Sequence, residues 1–173
     1  MTKSVLKALY AFSFLLIFLF GGCQGKNEPA DIVTNFSAKF TSDYRDAEYS
    51  GNISTNRQGV AYISISSTEE LDGLSFEYKN GELEMSRESL ICSADEAYLP
   101  QKSFPSLVKL ILDGISQGRT NLSSQSDNVC TYNLKTDSGN CVIVTDKDGK
   151  IISAEIKNAE LKIEFSEIEA DKN

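Results

Sequence analysis

Residues 128–167 read NVCTYNLKTDSGNCVIVTDKDGKIISAEIKNAELKIEFSE, and the turns within that run decide the fold. Asp137-Ser138, Asp148-Gly149 and Asn158-Ala159 are two-residue turn signals between short runs of alternating apolar and polar residues, the pattern of an antiparallel meander. Pairing about the first turn sets Cys130, Tyr132 and Leu134 opposite Thr145, Ile143 and Cys141. The second turn sets those three beside Ile152, Ala154 and Ile156, and the third sets the latter beside Phe165, Ile163 and Leu161. All four strands load one face. The other face carries Thr131, Asn133, Lys135, Asp146, Ser153, Glu155, Lys157, Lys162 and Glu164, interrupted by Val142, Val144 and Ile151. The sheet therefore has a wet side and a dry side, and the dry side needs a cover.

The cover stands just upstream. From Ser103 to Gln117, Leu107, Leu110, Ile111 and Ile115 recur at helical spacing, with Ser103 as N-cap, Pro105 in the first turn and Gly118 as terminator. Val108 and Leu112 widen the apolar stripe, so this helix needs burial over most of its circumference. Residues 118–127, rich in Ser, Asn and Gln, read as a mobile surface connection.

Further upstream, Asn80-Gly81 is the strongest hairpin signal in the chain, pairing Tyr78 with Leu83 and Phe76 with Met85 on one face and Lys79 with Glu82 on the other. Residues 48–54 and 60–66 form two more strands around a turn at Asn56 to Gly59. Residues 36–44 alternate Phe36, Ala38 and Phe40 with Ser37, Lys39 and Thr41, a strand preceded by one or two helical turns over residues 31–35. The expected fold class is α+β: a curved antiparallel sheet of eight or nine strands, a half-barrel, with a helix covering its concave face.

At 173 residues the chain fits a single domain. Residues 1–22 have the form of an export signal, with Lys3 and Lys7 before an apolar run from Leu9 to Phe20 that is too short to span a bilayer unaided. Residues 23–30 follow as a lipid-bearing N-terminus and polar tether, residues 31–168 as the domain and residues 169–173 as a polar tail. Asp and Glu outnumber Lys and Arg by 25 to 17, and two of those lysines leave with the signal. So acidic a surface disfavours nucleic acid as a partner.

The chain has no His and no Trp. Lack of His removes Ser-His and Cys-His nucleophile pairs and imidazole-bound zinc. Glu77, Glu82 and Glu84 fall on the wet face beside Lys79, where a solvated sheet explains them better than carboxylate catalysis. Asp146-Lys147-Asp148-Gly149 resembles a fragment of a calcium loop, but strands flank it and the bidentate glutamate is missing. Three Asn-x-Ser sequons, at Asn35, Asn52 and Asn121, carry little meaning in a bacterially exported chain. Cys130 and Cys141 fall on different pairing rows, and with Cys92 they read as small buried thiols. No cofactor, metal or enzymatic activity is expected.

Phe20-Gly21-Gly22-Cys23 resembles the lipobox of bacterial lipoproteins, in which the cysteine thiol takes a diacylglyceryl group and becomes the mature N-terminus. That resemblance implies lipid attachment at Cys23, a membrane held through a two-chain anchor, and a location on the extracytoplasmic face of the cell membrane. The order of elements, and the run from Ile32 to Phe40, resemble the lipoprotein-carrier (LolA-like) superfamily. That group includes the periplasmic lipoprotein carrier, the sigma-E regulator that senses stray lipoproteins, and mycobacterial lipid-carrying lipoproteins. Leu71 to Phe76 and Leu99-Pro100 are similar to segments in lipoproteins of this superfamily from Gram-positive anaerobes. The chain departs from the carrier in having Ser66-Ser67-Thr68 where the carrier has an arginine-proline step, in lacking Trp, and in its own lipobox.

The resemblance implies a fixed binder of an acyl chain or other apolar ligand in a cavity between helix and sheet, and the strand facing and helical spacing above would line it with Phe76, Tyr78, Met85, Leu107, Ile111, Ile143, Ile156 and Ile163. The alternative is a protein-interaction or envelope-sensing module with an envelope protein partner, its half-barrel filled by its own side chains.

Overall fold

A computed structural model describes residues 29–55, 61–67 and 69–170. The signal, Cys23, most of the tether, the Asn56 to Gly59 turn and the end of the polar tail lie outside the described residues. Eleven strands form one antiparallel sheet: β1 Phe36–Tyr44, β2 Ala47–Thr55, β3 Ala61–Ile65, β4 Ser75–Lys79, β5 Glu82–Arg87, β6 Leu90–Asp95, β7 Thr120–Gln125, β8 Val129–Thr136, β9 Gly139–Asp146, β10 Ile151–Ile156 and β11 Leu161–Ala170. Their order across the sheet is β6-β5-β4-β3-β2-β1-β11-β10-β9-β8-β7, open at β6 and β7. Two meanders are thus joined where the first strand pairs with the last, Phe40 opposite Phe165 and Tyr44 opposite Leu161. The helix, α1 (Phe104–Ser116), belongs to the connection from one edge strand to the other. No helix among the described residues is long and apolar enough to cross a membrane.

The position of α1 shows how strongly the sheet curves. Lys109 lies 5.5 Å from the ring centroid of Tyr78 on β4, while Gly114 abuts Leu134 on β8. Strands β4 and β8 are seven pairings apart, roughly 34 Å on a flat sheet at about 4.8 Å per strand. One helix about 10–12 Å across cannot touch both unless the sheet curls around it. Burial follows the curl, with Phe36, Phe40, Ile53, Ile63, Leu107, Ile143 and Ile163 all in a single core.

The C-terminal register is the expected one over most of its length. Cys130, Tyr132 and Leu134 face Thr145, Ile143 and Cys141, Ala154 and Ile156 face Ile143 and Cys141, and Ala154 and Ile156 face Ile163 and Leu161. The expected pair Thr145 with Ile152 does not form. Asp146 and Lys150 close the loop through Asp146 N–H to the Lys150 carbonyl at 2.9 Å, so three residues turn the chain rather than two. Ile151 then opposes Thr145, and a bulge at Ile152 restores the register at Ser153. Ile151 is buried and Ile152 is 38% exposed, the reverse of the sequence reading.

Gly149 makes that loop workable. Its φ is +81°, and a Cβ there would collide with the backbone carbonyl of Asp31. Val33 N–H donates to the Gly149 carbonyl at 2.8 Å. Residues 31–35, expected as one or two helical turns, are irregular chain pinned on this hairpin. Gly149→Ala is expected to cost about 2–3 kcal/mol, whereas Gly81→Ala, with the same φ but open space, should cost about 1 kcal/mol. Thermal unfolding of the two variants would separate backbone strain from loss of this docking.

Two strands replace segments read otherwise. The connection expected to be mobile holds β7, paired with β8 from Thr120 opposite Leu134 to Gln125 opposite Cys130. Strand β6, for which no strand was expected, pairs with β5 along its whole length. Cys130 and Cys141 are buried free thiols as expected, but Cys92 on β6 is exposed.

Candidate functional site

The site begins with α1, because the helix decides how much of the concave face is covered. Ser103 precedes the helix in extended conformation, with Pro105 in its first turn. The Ser103 hydroxyl bonds that of Ser106 at 2.8 Å and makes no side-chain cap. Phe104 stacks on Tyr49 at 4.8 Å and meets Phe40 at 5.8 Å, fixing the N-terminal end over β1 and β2. Lys109, on the other flank, pairs with Asp113 at 2.5 Å and with Glu96 at 3.4 Å. Glu96 belongs to the short turn Glu96–Tyr98 that follows β6, so this contact ties the helix to the β6 side of the sheet.

Helix and sheet approach closely. A Cβ at Gly114 would fall inside the van der Waals envelope of the Leu134 side chain. Between α1, residues 33–34 and the start of β1 lies a cavity of about 20 Å³, lined by Val33, Phe36, Leu112, Ile115 and Ile151 among others. That is room for about one water.

Of the eight expected lining residues, Leu107, Ile143 and Ile156 are sealed from solvent, and Phe76, Tyr78, Ile111 and Ile163 are buried. Met85 alone is half-buried. The structure brings all eight to the concave side, and none of them lines the cavity just described. Burial pushes the Tyr78 phenol up to about 12, so it stays protonated near neutral pH, as does Cys141, whose thiol is likewise pushed to about 12 by burial.

Open apolar surface lies instead beyond the margin of α1. One concave row runs Ile53, Ile63, Phe76, Met85, Cys92 through the pairings of β2 to β6. Along it the residues pass from buried at Ile53, Ile63 and Phe76 to half-buried at Met85 and exposed at Cys92. Leu90, on the same face by strand alternation, is 75% exposed. From Leu90 to Ala94, the concave-facing residues of β6, this strip is about 13 Å long. Sequence reading missed Leu90 and Cys92 because β6 follows a Glu88-Ser89 turn with no Gly or Asn. Glu88 itself takes the left-handed conformation, with φ 54°. The one available signal was the short apolar run Leu90-Ile91-Cys92 directly after a polar pair.

The exposed thiol gives a direct check. A thiol reagent added to the native chain should label Cys92 at once and Cys130 and Cys141 about 10³-fold more slowly, as expected if their access requires an opening of about 4 kcal/mol. Equal rates at all three would mean that the concave core is open to solvent.

The other face of the sheet is polar. Glu77 lies opposite Glu84 and Lys79 opposite Glu82, with Glu82 and Glu84 exposed. The Asp146 carboxylate accepts from the backbone N–H groups of Asp148 and Lys150, each at 2.9 Å, which makes the calcium-like fragment a hairpin loop. A polar cleft of about 830 Å³ beneath the β3–β4 loop is lined by Asp43, Glu48, Tyr49, Glu70 and Lys162 among others.

No family model matches the chain, and no curated protein matches it. Among solved structures, the LolA superfamily protein NE2245 from Nitrosomonas europaea is similar at 9% identity and a TM-score of 0.38, over 80% of this chain and 87% of that one. LprF from Mycobacterium bovis is similar at 11% identity and a TM-score of 0.40, over 80% and 88%. Likeness at this level fixes neither family nor ligand.

Proposed function

We propose that this chain is a lipoprotein anchored to the extracytoplasmic face of the cell membrane through Cys23, and that its single domain is a non-enzymatic binder of an acyl chain or other apolar ligand. The lipobox at residues 20–23 and the resemblance of residues 32–40 to lipoprotein carriers support the anchor and the ligand class. One structural observation carries the reading: the apolar concave face is wider than the helix that covers it, and it emerges at Met85, Leu90 and Cys92.

In this reading the ligand first meets Met85 and Phe76 at the margin of α1. It reaches Tyr78, Leu107 and Ile111, and beyond them Ile143, Ile156 and Ile163, only as the helix lifts. The two positions differ in affinity. About ten methylenes half-buried on the open strip gain roughly 4 kcal/mol, a millimolar dissociation constant, and full enclosure beneath α1 doubles that to the micromolar range before the cost of moving the helix.

The small cavity beside Phe36 and Ile115, with room for about one water, favours a second reading, an interaction module that recognises an envelope protein. Mass spectrometry of the protein purified from membranes distinguishes the two. The proposal predicts a diacylglyceryl mass on Cys23 and, under gentle ionisation, a co-purifying apolar adduct. Anchor without adduct would favour the interaction module, and an unmodified Cys23 would overturn the anchor.

A further inference from the structure

The two edges of the sheet are built differently. Strand β7 is polar, Thr-Asn-Leu-Ser-Ser-Gln, and its register with β8 shifts between Leu122 and Ser124. A polar, bulged edge resists the addition of another strand. Strand β6 pairs with β5 without a break from Arg87 opposite Leu90 to Glu82 opposite Asp95. It contains no Lys and no Pro, and it exposes Leu90 at 75% and Ile91 at 68%. Its outward hydrogen-bonding groups follow from the ladder. Glu96 N–H donates to the Gly81 carbonyl at 2.9 Å. Alternation then turns Ala94 and Cys92 toward β5 as well and directs the N–H and C=O of Ile91, Ser93 and Asp95 away from the sheet.

Charge selects the partner. The convex face behind this edge carries Glu77, Glu82 and Glu84 against Lys79 around a groove of about 160 Å³ that Ser93 also lines, and Asp95 is exposed beside Glu82. A second copy of this chain, itself at −8, would add acid to acid. Antiparallel self-pairing centred on Cys92 would set Glu88 opposite Glu96.

We propose that β6 is a docking edge for an extended segment of another protein whose side chains alternate apolar and basic, added as a twelfth strand. Its apolar side chains lie on the concave side against Leu90 and Cys92, and its basic side chains lie on the convex side near Glu84 and Asp95. The backbone of Ile91, Ser93 and Asp95 supplies the ladder. The inference shares Leu90 and Cys92 with the strip assigned to an apolar ligand but does not depend on that reading, since the backbone ladder and the carboxylates select its partner.

The test uses the full chain in detergent and a fluorescent, end-blocked octapeptide of alternating valine and lysine, followed by anisotropy. Saturable binding is expected, weakening with added salt. Ser93→Pro removes an outward N–H without touching the bonds to β5, so it should leave the melting temperature unchanged and weaken binding about tenfold. Glu84→Lys should weaken binding and flatten its salt dependence, and a valine–glutamate peptide should not bind. The proposal is overturned by any of three results: no saturable binding, equal binding to the wild type and Ser93→Pro, or a peptide-free dimer in sedimentation that Ser93→Pro dissolves.

Discussion

Ile111→Asp is expected to cost at least about 4 kcal/mol and to lower the melting temperature by roughly 10 °C or more. Ile111 is 2% exposed at the middle of α1, where the helix faces the curled sheet. The variant gives up about 2 kcal/mol of apolar burial and leaves a carboxylate in an apolar site. Lys109, the one cation on α1, is already held by Asp113 and Glu96 and offers no ready partner. Against a stability of about 5–15 kcal/mol for a typical domain, such a loss is close to unfolding. Ser106→Ala on the same helix removes a hydroxyl contact to Ser103 and one to the Tyr78 phenol and should cost about 1 kcal/mol. Small and equal effects at both positions would mean that α1 is peripheral and the concave face is organised by something else.

The second large effect concerns location. Cys23→Ser is expected to abolish acyl labelling and to release the protein from the membrane, because the thiol is the acyl acceptor of the lipobox and residues 24–30 that follow it are a polar tether. Two acyl chains on one residue supply anchoring that a single chain does not. The readout is incorporation of a labelled fatty acid, together with the distribution between membrane and soluble fractions. A Cys23→Ser protein that still labels would remove the lipobox reading altogether.

How much of this was legible in the sequence differs from element to element. Register in the C-terminal meander could be read because each strand buries every second residue, so a slip of one would expose Ile143, Ile156 or Ile163. The hairpin at Asn80-Gly81 was legible for the same reason, and α1 from its spacing and flanking Ser103 and Gly118. The bulge at Ile152 was not, because two adjacent isoleucines satisfy either facing and the choice is made by the three-residue loop that Gly149 allows. Strands β6 and β7 were missed because edge strands pair through the backbone and have little burial to impose a pattern. Residues 31–34 resemble the start of a helix locally, but Val33 and Asp31 are claimed by the hairpin around Gly149. The eight concave residues were identified by facing alone. Whether they enclose a space depends on the distance between helix and sheet, and that distance is set by Gly114 against Leu134, a contact between residues with no local relation in the chain.

The proposed function requires an apolar face that accepts a ligand, and the most direct test is native mass spectrometry of the chain from Gln24 onward, titrated with fatty acids and phospholipids. A one-to-one adduct is expected, and Met85→Lys should weaken it by about tenfold without loss of fold, since a half-buried lysine can carry its ammonium out to solvent. No adduct, or an adduct indifferent to Met85→Lys, would contradict it and leave the interaction module as the better reading.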